Sequence, residues 1–275
     1  MFSFQTGEYE ELSIEERQQK SKDLWYQEYS KHGFNGDYQG TPKAKELLDK
    51  ILALDPENCD ALRELSVPYL KRGIPHEWKP LFDKAVECDP VVWQPWRGYL
   101  YLFFYRDYEK AIADFNASDT LTPDFIDAPQ GQSVNYWRGV AYLGKKDYKN
   151  SIDFFSRHIS IASAELGENW VEPSSFLYKG IAQFRTDTLK EAEDNMLKML
   201  KYNNDRSADA HYYLALIYNQ TGELDSAKEH IESSLLDYKA GFYRYRPYVE
   251  EIEQIYPEQI LSLKSEIEAQ HNAHD

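Results

Sequence analysis

Trp96-Arg97-Gly98, Trp137-Arg138-Gly139 and Tyr178-Lys179-Gly180 are three versions of one tripeptide, standing 41 residues apart each time. A ring, a cation and a glycine returning at a fixed interval mark an internal repeat, and a period of this size points to stacked supersecondary units. Downstream of the first two, Tyr108-Glu109-Lys110-Ala111-Ile112 through Phe115 matches Tyr148-Lys149-Asn150-Ser151-Ile152 through Phe155. Each unit reads as two helices. Trp137, Gly139 and Tyr142 fall at helical spacing, Gly144 to Asp147 make a turn, and Ile152, Phe155 and Ile159 follow three and four apart. Ala192, Met196 and Met199 repeat that second pattern in the next unit. This is the period of an amphipathic helix and not the alternation of a strand.

The small residues have a packing reason. Gly98, Gly139, Gly180 and Ala215 let two helices approach where a larger side chain would hold them apart, and Gly222 permits the positive φ that ends a helix tightly. Leu62, Leu65, Tyr69, Gly73, Phe82, Ala85 and Pro90 form one whole unit, and Leu214, Ala215, Tyr218, Gly222, Ala227 and Ile231 another. This pattern resembles the tetratricopeptide repeat, a helix–turn–helix unit of roughly 34 residues. The resemblance covers about residues 12 to 241. It implies an all-α chain: a right-handed α-α superhelix, or solenoid, of the kind bacterial scaffold proteins use. Residues 1–275 are expected to form one solenoid domain. Residues 12–58 make a divergent first repeat, with Trp25, Ala44, Leu48, Ile51 and Pro56 interrupted by Gly33 to Gly40. Regular repeats follow at 59–92, 93–125, 133–165, 173–207 and 208–241. Capping helices at 243–271 are expected from the amphipathic stretches Tyr248–Ile255 and Gln259–Ala269, divided by Pro257, whose polar faces would keep the end of the stack soluble. The middle units depart from the pattern late in the second helix, where Ser118 and His158 stand.

Composition narrows the function. Glycine and proline number only 13 and 12, which favours helices, and 22 Tyr, 13 Phe and 6 Trp predict an aromatic core. Lys and Arg total 31 against 47 Asp and Glu, for a net charge of −16. The longest basic runs are pairs such as Lys145-Lys146, so nucleic acid and anionic membrane surfaces are disfavoured as partners. No stretch approaches the ~18 apolar residues of a membrane span. The start, Met1-Phe2-Ser3-Phe4-Gln5, does not read as a signal peptide. A cytoplasmic placement is the expectation, although a periplasmic or secreted chain whose leader had been removed would read the same. Two cysteines, Cys59 and Cys88, lack metal-ligand spacing, and the sequence leaves open whether they bond to each other.

No G-x-S-x-G, P-loop, G-x-G-x-x-G or H-E-x-x-H occurs, so no catalytic residue, metal site or cofactor is implied. His211 and His230 lie on opposite helices of the best-conforming repeat and read as packing residues. What remains is the ladder. The resemblance implies that first helices line a concave groove for extended peptides, with Trp96, Trp137, Tyr178 and Tyr213 pointing into it. Arg97, Arg138 and Lys179 follow three of those rings. Rings with flanking cations suit an acidic or C-terminal peptide segment. The competing reading is that the rings pack between helices and the cations neutralise acidic neighbours. The expected function is a non-enzymatic protein-interaction scaffold for a protein or peptide of unspecified identity. Two alternatives stand beside it. One is a self-associating structural module; the other is a small-ligand or enzymatic site built from the insertions at 120–133 and 164–174, using Asp124, Asp127 and Glu172.

Overall fold

A computed structural model describes Tyr9, residues 11–30 and residues 39–274. The interruption expected between Gly33 and Gly40 lies largely outside the described residues. Among those described there is no strand, and thirteen α-helices run along the chain. They are α1 (Ile14–Leu24), α2 (Pro42–Leu54), α3 (Cys59–Lys71), α4 (Pro75–Cys88), α5 (Pro90–Leu100), α6 (Tyr108–Leu121) and α7 (Val134–Gly144). The rest are α8 (Tyr148–Leu166), α9 (Pro173–Phe184), α10 (Leu189–Tyr202), α11 (Ala208–Thr221), α12 (Leu224–Lys239) and α13 (Pro257–His274). Wider π turns extend α1 through Ser30 and α5 through Tyr105. None of the described helices is long and apolar enough to cross a membrane.

Local chemistry sets the boundaries. Asn58, Ser133 and Ser207 accept the backbone N–H three residues on with their side chains, capping α3, α7 and α11. The turn between the two helices of a unit needs one residue in the left-handed region. Gly73 and Gly222 supply it at φ 68° and 83°, whereas Arg106, Lys146 and Asp187 hold the same turn at φ 53°, 65° and 60°. Consecutive helices pack as hairpins: α3 with α4, α7 with α8, α9 with α10, and α11 with α12.

The chain divides into two compact units, residues 1–97 with 117–123, and residues 98–116 with 124–275. In the first, Tyr29, Ala44, Leu48, Ile51, Ala61 and Leu65 form a buried cluster against which Trp25 packs. Cys59 at the start of α3 and Cys88 at the end of α4 are joined by a disulfide, with their Cα atoms 5.7 Å apart, so the hairpin is closed covalently at its open end.

In the second unit the repeat glycines sit where the sequence pattern demands. A Cβ on Gly98 would stand 2.8 Å from a ring carbon of Phe115, and one on Gly139 would stand 2.8 Å from Phe155. These rings are fully buried and wedge the second helix of each unit against the first. His158 also has a structural task. Its Nδ1 lies 2.8 Å from the hydroxyl of Ser133, the residue that caps α7. Ser133 Oγ also accepts the Tyr136 N–H, so a single hydroxyl joins the cap of α7 to the imidazole of α8.

One expected helix is absent. Tyr248–Ile255 is irregular, and only the helix after Pro257 forms. Three carbonyls of this stretch accept from arginine side chains instead. Arg244 donates to the carbonyls of Ile252 and Glu253 at 3.1 and 2.8 Å, and Arg106 donates to that of Glu250. Tyr248 and Glu253 take φ values of 72° and 55°, outside any right-handed helix.

Candidate functional site

The rungs of the ladder fall in both units. In the first unit Trp96 is half-buried beside Trp93, at 6.4 Å between ring centroids, and the Arg63 guanidinium lies 5.8 Å from it. Arg97 pairs with Asp83 at 2.9 Å.

In the second unit Trp137, Tyr178 and Tyr213 are 3%, 2% and 3% exposed. Open rings were expected on a free groove. These are covered instead, because residues 242–256 run across the first helices as a strap. The strap begins where α12 ends: Phe242 N–H donates to the Asp237 carbonyl at 2.9 Å, and the Phe242 carbonyl accepts the Ala208 N–H at 2.8 Å.

Two arginines hold the strap down. The Arg244 guanidinium lies 4.5 Å from the Tyr178 centroid and donates to Asp209 at 2.9 Å, while its own N–H reaches the other Asp209 oxygen at 3.1 Å. Asp209 is 1% exposed, so this is a buried carboxylate whose charge Arg244 answers. Burial works against charge on Arg244, but Asp209, Tyr178 and Glu251 together outweigh it and hold the guanidinium above its usual pKa. Arg246 sits among three rings, 3.8 Å from the Phe103 centroid, 5.6 Å from Tyr99 and 5.8 Å from Trp137. Those rings brace one another at 5.2 to 5.6 Å between centroids. They form an aromatic cage around a cation. Arg246 also donates to Glu251 at 3.0 Å and to the Tyr99 hydroxyl.

Acidic residues of the strap complete the contact. Glu251 accepts from the Tyr178 hydroxyl at 3.0 Å; Glu253 accepts from the Tyr213 hydroxyl at 3.1 Å and pairs with Arg185 at 2.7 Å. Burial, only partly opposed by Arg244, raises the Tyr178 phenol well above the ordinary value, and burial with Glu253 raises that of Tyr213. Both therefore act as neutral hydrogen-bond donors.

The cations of the ladder are used differently from expectation. Arg138 is 2% exposed and donates to the Phe115 carbonyl and, at 2.9 Å, to Asn135. Its charge serves helix packing because the side chain runs into the interior and not along the face. Lys179 is half-buried, and burial, with Lys198 nearby, lowers its pKa.

Inner ends of the two insertions meet beside the strap. Gln130, Gln132, Glu172 and Ser174 line one small cleft with Tyr136 and Arg246. The Tyr136 hydroxyl lies 2.7 Å from Ser174 Oγ, which donates to Glu172 at 3.2 Å. Asp124 and Asp127 do not line that cleft. Among the described residues no group of three or more His, Cys, Asp or Glu could hold a metal ion. Sequence reading missed Tyr99, Phe103, Asp209, Arg244 and Arg246. The available signal was the Arg-x-Arg alternation before Pro247, which puts two cations on one side of an extended segment.

Residues 208–236 match the tetratricopeptide repeat family. Curated protein sequences give no significant match. Among solved structures, a tetratricopeptide repeat protein from Parabacteroides merdae is similar with TM-score 0.62 at 17% identity, covering 92% of this chain and 88% of that one. PilW, a type IV pilus biogenesis factor, has TM-score 0.59 at 14% identity, covering 86% and 96%. Yeast Tom70 has TM-score 0.57 at 16% identity, covering 94% of this chain and 48% of its own. The α11–α12 hairpin is thus a tetratricopeptide repeat, and the chain has the fold of tetratricopeptide-repeat proteins, a fold that generally mediates protein–protein interaction.

Proposed function

We propose that this chain is a non-enzymatic protein-interaction scaffold, and that its binding surface is the first-helix face of the second unit. Trp137, Tyr178 and Tyr213 form the floor of that surface and Lys179 lies at its margin. A partner contributes an extended segment of polypeptide. The supporting observation is the strap itself. Residues 242–256 lie on this face in non-helical form, held through stacked guanidinium groups, tyrosine hydroxyls and ion pairs. A face built to hold one extended segment has the chemistry to hold another, since aromatic rings bury large areas at small entropic cost.

Hydrogen exchange on the full chain tests this reading with peptides selected from a random display library. A bound peptide should protect residues 134–144, 173–184 and 208–221, and it should increase exchange in residues 242–256. Protection confined to residues 39–97, or no selectable peptide, would refute it.

A further inference from the structure

We infer that the second unit carries two guanidinium subsites, and that the partner's segment presents two arginines one residue apart. The first subsite is the Tyr99–Phe103–Trp137 cage; the second is the Tyr178 ring with the Asp209 carboxylate. In this structure Arg246 and Arg244 fill them. This inference rests on the binding surface proposed above and specifies what that surface selects.

Three observations support it. Arg244 and Arg246 are separated by Tyr245, whose side chain is 69% exposed while both arginines turn inward. That is the alternation of an extended chain, in which every second side chain faces the same way. An incoming segment must therefore repeat the i, i+2 spacing.

Asp209 is the second observation. A carboxylate 1% exposed on α11 is costly to leave without a cation, so a segment that lifts Arg244 away is favoured when it supplies a guanidinium in its place. Asp209 receives two donors from the strap, one from the side chain and one from the backbone of the same arginine. The third is the shape of the cage. Planar guanidinium stacks on aromatic faces, whereas a lysine ammonium is a compact and strongly hydrated point charge. An acidic segment would place carboxylates against electron-rich ring faces and beside Asp209. The −16 net charge also steers basic segments toward the protein.

The test uses the full-length chain and fluorescent peptides copied from residues 242–249, carrying Arg-Tyr-Arg, Lys-Tyr-Lys or Glu-Tyr-Glu. Arg246→Ala empties the cage while leaving the Arg244–Asp209 pair, and circular dichroism reports whether the variant folds. If it does not, Arg246→Lys keeps the charge and allows the same comparison. The Arg-Tyr-Arg peptide should bind the variant at least about tenfold more tightly than it binds the unaltered chain. It should also bind the variant at least about tenfold more tightly than the Lys-Tyr-Lys peptide does. Adding Phe103→Leu should weaken it again.

Equal affinity for the arginine and lysine peptides would overturn the inference, as would no gain on opening the cage. Tight binding of only the Glu-Tyr-Glu peptide to the same helices would overturn the arginine assignment and leave the scaffold reading standing. A variant that binds no peptide and sediments as a dimer would assign the face to the strap of a second copy and refute both.

Discussion

Gly139→Ala adds one methyl group where the Phe155 ring of α8 lies against the backbone of α7. The new Cβ would stand 2.8 Å from Cε2, 2.9 Å from Cδ2 and 2.9 Å from Cζ of Phe155. That ring has little room to retreat. It is fully buried, stacked on Tyr178 at 5.8 Å and met edge-on by Tyr136 at 5.6 Å. Overpacking of this kind costs about 1 to 3 kcal/mol, and three ring atoms inside contact distance place it near ~3. Alanine recovers about 1 kcal/mol through its helix propensity, so the net loss is about 2 kcal/mol.

Gly180→Ala is the internal control. Its nearest neighbour at 2.8 Å is Met196 Cε, the end of a flexible side chain, followed by a carbonyl oxygen at 3.2 Å. Here methionine swings aside and the two effects nearly cancel, leaving a change of less than about 1 kcal/mol. Urea denaturation followed by far-ultraviolet circular dichroism measures both. Gly139→Ala should unfold at clearly lower urea than Gly180→Ala, and adding Phe155→Leu should return part of the loss. If Gly139→Ala matched or exceeded the control, the glycine would not be required by close approach and the packing account of the repeat would fail.

Three further outcomes follow from the structure. Reducing the Cys59–Cys88 bond, which spans 29 residues, should destabilise the first unit by about 3 to 4 kcal/mol, measured as a thermal shift with and without reductant. Burial lowers the pKa of His158 to about 4 from the ordinary 6.5. The unfolded chain therefore takes up that proton first, so stability is complete above pH 6.5 and about 3 kcal/mol is lost as pH falls toward 4. Denaturation midpoints across that interval should show the loss, and His158→Gln should flatten it. Lys146→Gly removes a side chain from a left-handed turn at φ 65° and should stabilise the chain by about 0.5 to 1 kcal/mol, read by melting temperature.

The helices and their pairing were legible because each repeat states its packing locally. The 3.6-residue period, the turn residue and the glycine opposite an aromatic wedge all lie within one unit of about 41 residues. Trp137, Tyr178 and Tyr213 recur at one position of the repeat for the same reason, and all three contact residues 242–256. The strap was illegible because its conformation is decided by residues far along the chain. Tyr248–Ile255 has an acceptable helical pattern, but Arg106, lying 144 residues before Glu250, donates to one of its carbonyls, and Arg244, itself held by Asp209 35 residues earlier, donates to two more. Arg138 was misjudged for a related cause. Repetition showed that a cation recurs beside each ring, yet its direction depends on the Phe115 carbonyl of the preceding unit.

Because the strap is joined to α12 through Gly241, at φ 86°, its arginines never leave the neighbourhood of the cage. A tethered segment of this kind competes at an effective concentration on the order of millimolar. A free segment with identical contacts would half-displace it only near that level, however well each contact were made. Selectivity then resides in a ratio: a visitor binds at physiological abundance only if it exceeds the resident by several orders of magnitude, or if it is itself anchored nearby by a second attachment. Weak arginine-bearing sequences, which are common in any proteome, are excluded by dilution alone.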